Sequence, residues 1–160
     1  IVMQLQTIVA REISPFDQAV LTVGTIHGGL KRNIIPEEVK LELNLRAFRE
    51  EVRQRMIESI ARISRAAALG AGMPEDRLPV VTVLEQEFAP VVRNDPALTE
   101  RMTATFQRVL GMDNVLAQPP IMGSEDFGQF GLNGRIPAKM FRVGAANPAQ
   151  LAEARRTGTA

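Results

Sequence analysis

Val39-Lys40-Leu41-Glu42-Leu43-Asn44-Leu45-Arg46-Ala47 alternates apolar and polar residues without a fault. Side chains on a strand point to opposite faces in turn, so this pattern predicts a strand with Val39, Leu41, Leu43, Leu45 and Ala47 on a core. Lys40, Glu42, Asn44 and Arg46 are left facing solvent or a ligand, with Arg46 near the strand end. Upstream, Ala19 to His27 carries the β-branched residues Val20, Thr22, Val23, Thr25 and Ile26, which predicts a second strand. Gly28, Gly29 and Pro36 punctuate the connection between the two.

The flanks supply helices. Val52, Met56, Ile60, Ile63 and Ala67 recur at spacings of four and three among charged residues, which predicts an amphipathic helix over 49–69, ended by Gly70 and Gly72 ahead of Pro74. Ile1, Leu5, Ile8, Val9 and Ile13 follow a helical period that Ser14-Pro15 stops. Pro79 to Phe88, with Val80, Thr82 and Leu84 on one side against Val81 and Val83 on the other, predicts a third strand. Helix, strand, strand, helix, strand is an α+β order that lacks only an opening strand to be a ferredoxin-like βαββαβ unit. The expected fold is a four-stranded antiparallel sheet with two helices, its first strand absent from this sequence. That strand lies inside the sheet in such a topology, so its absence leaves a slot of unpaired backbone groups.

Beyond Phe88 the sequence predicts a second unit. Asp95 is placed to cap a helix with Pro96 at its first position, and Leu98, Met102, Phe106 and Val109 carry that helix to Gly111. A short apolar stretch at 115–117, a loop over 118–127, a strand over 138–143 and a helix from Pro148 complete it. The expected domains are 1–88 and 89–160, the second too thin in strands and helices for a comfortable core of its own.

Composition narrows the function. The 160 residues are 45% apolar with a net charge of +1, which suits one ordinary core or two small ones. With no basic excess, Trp or Tyr, a nucleic-acid surface is not expected. No apolar run reaches membrane-spanning length and no signal-peptide pattern opens the chain, so the expectation is a cytoplasmic protein without a membrane partner. Cysteine is absent and His27 is the only histidine, so a thiolate nucleophile is excluded and a zinc site is not closed by this chain alone. The sequence begins at Ile1 without an initiator Met, as a piece of a longer protein would.

Few residues are left to carry chemistry. His27 ends an apolar run beside two glycines, held by regular backbone on one side with open space on the other; it is a candidate ligand-facing imidazole or an ordinary strand-end residue. Asn33, in Arg32-Asn33-Ile34-Ile35-Pro36, is a turn residue or an amide donor. Arg46 is a solvated cation or a fork for a carboxylate. In Gly123-Ser124-Glu125-Asp126-Phe127, Ser124 and the acids either cap a helix or line a cleft. Phosphate loops, nucleophile elbows and nucleotide fingerprints do not occur.

Three separated segments, Gly24-Thr25-Ile26-His27-Gly28-Gly29 through Asn33-Ile34-Ile35-Pro36, Leu41 through Arg46, and Met122-Gly123-Ser124-Glu125-Asp126-Phe127, together resemble the zinc-dependent amidohydrolases that include hippurate hydrolase, N-acyl-amino-acid deacylases and indole-acetyl-amino-acid hydrolases. The resemblance runs over nearly the whole chain. It implies a two-metal catalytic domain interrupted by a ferredoxin-like lid that also makes a homodimer, with 1–88 as the incomplete lid and 89–160 as part of the catalytic domain. It implies that His27 is catalytic, stabilising an oxyanion in the partner subunit's site, and that Asn33 and Arg46 lie near the substrate carboxylate. Gly123, Ser124 and Glu125 join them as substrate-binding residues, Glu125 not as a metal ligand.

The cofactors so implied are two divalent metal ions, zinc with manganese, nickel or cobalt as alternatives. The family's upstream ligands, its Glu-Glu pair and its last metal-binding histidine have no counterpart in these residues. The expected function is hydrolysis of the amide bond of an N-acyl amino acid by metal-activated water, with this chain inactive alone. A non-catalytic dimerisation module and an amino-acid-binding ferredoxin-like sensor remain open as alternatives.

Overall fold

In the computed structural model, residues 1–158 are described, and they form two compact units. The first comprises Ile1–Val91 with Gln118–Ser124, and the second Val92–Ala117 with the residues from Glu125 onward.

The first unit is built on a hairpin. Strands β1 (Ala19–Gly28) and β2 (Val39–Ala47) pair antiparallel from Ala19 opposite Ala47 to Gly28 opposite Val39. Leu41, Leu43, Leu45 and Ala47 are half-buried while Lys40, Glu42, Asn44 and Arg46 are exposed, so the alternation does divide β2 into a core face and an open face. Helix α2 (Glu50–Gly70) lays Val52, Met56 and Ile60 on the core face. Leu5 and Ile8 close the cluster from α1 (Val2–Leu5) and a π-helical turn over Ile8–Glu12, which Ser14-Pro15 ends. Gly72, at φ +77°, closes α2: the Met73 N–H reaches the Ala68 carbonyl and the Gly72 N–H the Leu69 carbonyl, the paired closure that a left-handed glycine permits.

The expected four-stranded sheet is not formed; the sheet of the described residues has two strands. Residues 79–84 make no ladder, and a 3₁₀ turn over Glu85–Glu87 interrupts the predicted third strand. An alternating sequence needs a neighbour's N–H and C=O groups before it becomes a strand, and in the expected topology the neighbour of this segment is the missing opening strand. The segment is instead held at its end, where the Arg53 guanidinium lies 4.4 Å above the Phe88 ring.

In the second unit, α3 (Pro96–Leu110) begins as predicted, the Asp95 carboxylate accepting the Leu98 N–H at 2.8 Å, and it ends at Gly111, φ +89°. Helix α4 (Pro148–Thr157) is capped by Asn147. The predicted strand over 138–143 is not formed: among the described residues its backbone pairs through Asp95 N–H on the Ala138 carbonyl, with Met140 N–H on Asn94 Oδ1, too few bonds for a ladder. The 115–117 stretch is likewise without a partner strand. Phe106 and Phe141 stack at 5.0 Å, yet no large apolar side chain among the described residues of this unit is fully buried.

Candidate functional site

A single extra residue decides which way His27 points. Pairing runs regularly from Ala19 to Val23 opposite Leu43, then resumes with Thr25 opposite Glu42, leaving Gly24 as the extra residue of a β-bulge. Without it, the inward run Ala19, Leu21, Val23 would continue through Thr25 to His27. With it, Ile26 falls opposite Leu41 and is itself exposed, because the core does not reach this end of the hairpin, and Thr25 and His27 fall on the other face, opposite Glu42 and Lys40. The Thr25 hydroxyl accordingly donates to Glu42 Oε2 at 3.0 Å. A signal for this was present in the sequence, where the apolar positions change parity between Val23 and Ile26 across Gly24.

At this end of the hairpin the open face is charged. Lys40 Nζ donates to Glu42 Oε1 at 2.7 Å, so both carboxylate oxygens of Glu42 are engaged. The Lys40 ammonium, and then the Thr25 hydroxyl, hold the Glu42 carboxyl below the usual carboxylate range, and Glu42 in turn raises Lys40. Asn33 shares this tip, in a turn closed by the Ile34 N–H on the Lys31 carbonyl at 3.2 Å; its backbone is not left-handed. His27 and Asn33 are both exposed.

Arg46 stands at the other end of the same face, opposite Val20. From Lys40, the partner of His27, to Arg46 is six residues of strand, about 20 Å at the usual rise. There Arg46 Nε donates to Asn44 Oδ1 at 3.2 Å and Nη1 donates to the Met122 carbonyl, which brings Gly123 and Ser124 to the same locality as the guanidinium. Glu125 begins the second unit, at the cap position of a 3₁₀ helix over Asp126–Gly134. It does so without a side-chain cap bond, so of the two readings of this segment the helix cap by Ser124 is not the one formed: the cap position falls on Glu125, one residue later. Within the first unit the predicted set therefore divides into His27 with Asn33 and Arg46 with Gly123 and Ser124, while Glu125 belongs to the second unit.

Among the described residues, no three His, Cys, Asp or Glu side chains gather where a metal ion could sit, and Glu42 is committed to Lys40 and Thr25. These residues do not fit a metal centre of their own. No helix among them is long and apolar enough to cross a membrane.

Comparison with known proteins gives this arrangement a context. A family model described as peptidase family M20/M25/M40 matches residues 8–155. An N-acetyldiaminopimelate deacetylase of Limosilactobacillus fermentum is 33% identical over 157 residues, covering 98% of this chain and 39% of the relative. One of Leuconostoc citreum is 31% identical over 157 residues, covering 98% of this chain and 38% of the relative. A crystal structure from methicillin resistant Staphylococcus aureus, provisionally described as an aminohydrolase, superposes with a TM-score of 0.66 at 26% identity over 82% of this chain and 32% of its own. The chain thus spans about two fifths of the length of the curated relatives it matches.

Proposed function

This chain belongs to peptidase family M20/M25/M40, and on that premise we propose that it is part of a hydrolase that cleaves the amide bond of an N-acyl amino acid or a related small linear amide. The names of the relatives, deacetylases of an N-acylated amino acid, support an amide carrying a free carboxylate. Residues 1–88 serve as an incomplete ferredoxin-like lid and dimerisation domain, and 89–160 as part of the catalytic domain. Members of the family are generally metal-dependent. In the whole enzyme two divalent ions, zinc in the first instance, would activate the attacking water; the residues of this chain do not hold them.

What this chain contributes is charge stabilisation and orientation. An imidazole N–H of His27 donates to the oxygen that gains negative charge as the carbonyl becomes tetrahedral, and a preorganised donor of this kind is worth about 10²- to 10³-fold in kcat. The Arg46 fork holds the substrate carboxylate, beside Gly123 and Ser124, and Asn33 adds an amide donor. The single observation that carries this reading is the Gly24 bulge, which turns the chain's only histidine onto the open face that also bears Arg46.

The separation of His27 from Arg46, about 20 Å, exceeds the length of a small N-acyl amino acid. It supports a homodimer in which His27 of one protomer serves the site of its partner. The test is His27→Ala in the full-length protein that carries these residues. We expect kcat to fall about 10²- to 10³-fold with metal content and KM little changed; unchanged kcat would remove His27 from the reaction.

A further inference from the structure

Arg46 is not presented as a free cation. Its Nε–H is spent on Asn44 Oδ1, at 3.2 Å, two residues back on the same strand and face, and Nη1 is spent on the Met122 carbonyl. Among the described residues Nη2 donates to none, so the outer edge of the guanidinium, Nη1 with Nη2, keeps N–H groups for a ligand while the side edge at Nε is closed. A carboxylate takes two parallel bonds from one edge of a guanidinium, so the group that closes one edge selects the other. Arg46 is exposed on a flat strand face, where a long side chain otherwise samples many rotamers.

We propose that Asn44 is a positioning residue for Arg46: its side-chain oxygen fixes the guanidinium plane, so that only the outer edge is offered to a substrate carboxylate. This rests on the reading of Arg46 as the carboxylate-binding residue. Asn44 itself touches no substrate; it limits the rotation of the group that does. The Met122 carbonyl is the second tether, and it fixes the height of the fork beside Gly123 and Ser124.

Two measurements test the proposal. In the full-length protein, Asn44→Leu should raise KM for an N-acetyl amino acid about three- to tenfold, the effect of losing one ordinary hydrogen bond. It should leave kcat within about twofold, and leave unchanged the KM for the matching amide that lacks the carboxylate. Asn44→Asp, which keeps an acceptor for Nε–H, should restore KM. In the chain itself, the Arg46 Nε–H resonance should exchange slowly with solvent, quicken in Asn44→Leu and stay slow in Asn44→Asp. Where Arg46→Ala raises KM, an unaltered KM in Asn44→Leu or an equal rise for both substrates would overturn it, and so would an Nε–H that exchanges alike in all three proteins. If Arg46→Ala leaves KM unchanged while the Nε–H resonance behaves as expected, the functional reading of Arg46 fails and the positioning by Asn44 stands.

Discussion

At the scale of single residues, the chain spends its polar groups on holding others in place. Glu12 is the clearest case outside the candidate site: Ser59 Oγ donates to its Oε2 at 2.6 Å, and Arg62 Nη2 reaches both oxygens at 2.6 Å. The Arg62 bond, then the Ser59 bond, hold the Glu12 carboxyl below its ordinary value. A carboxyl depressed in the folded state adds stability above its unfolded pKa, about 4.3 for Glu, and that contribution is lost as pH falls through the lower folded value. Glu12→Gln is therefore expected to lower the thermal midpoint at pH 7, and the gap between parent and variant should close as pH is taken well below 4, followed by calorimetry. Ser59 is buried, so its hydroxyl is among the groups that the substitution leaves less well paired.

Among the elements, the hairpin and α2 were legible before any coordinates, because each carries a period that only one structure satisfies. The alternation over 39–47 and the four-and-three spacing of Val52, Met56 and Ile60 report burial: Leu43, Leu45 and Ala47 pack on the core with these three, whereas Val39, expected on the same face, lies at the uncovered tip of the hairpin and is exposed. The β-branched run over 79–84 read as a strand too and did not become one. A pattern states which faces a segment can present, whereas pairing depends on a neighbour that the pattern does not encode. The same holds for 138–143. The bulge was harder to see because it is one glycine long, and without it His27 has the wrong parity for the open face. The contact of Arg46 with the Met122 carbonyl was illegible: it joins positions far apart in sequence through a backbone atom, which leaves no trace in residue type. Helix α2 carries the first unit's core, and Met56 is wholly buried in it. Met56→Ala should cost about 2–5 kcal/mol, read as a lower urea midpoint with an unchanged m-value.

For the whole molecule, the decisive feature is that one strand pair presents two groups of candidate residues too far apart to meet on one small substrate. His27 and Asn33 sit at the hairpin tip, while Arg46 is held at the base beside the Met122 carbonyl. Family membership covers residues 8–155, and the chain spans about two fifths of the length of the curated relatives it matches. A dimer resolves the separation if each site takes Arg46 from one protomer and His27 from the other. The most direct measurement is to mix two impaired full-length variants, His27→Ala and Arg46→Ala, allow subunits to exchange, and assay amide hydrolysis at a substrate concentration where each alone is weak. Random exchange puts half the protein in mixed dimers, each with one site that has both residues intact, so the expected recovery is about a quarter of the parental activity. No recovery after demonstrated exchange would mean that each site takes both residues from one and the same protomer, and would contradict the account.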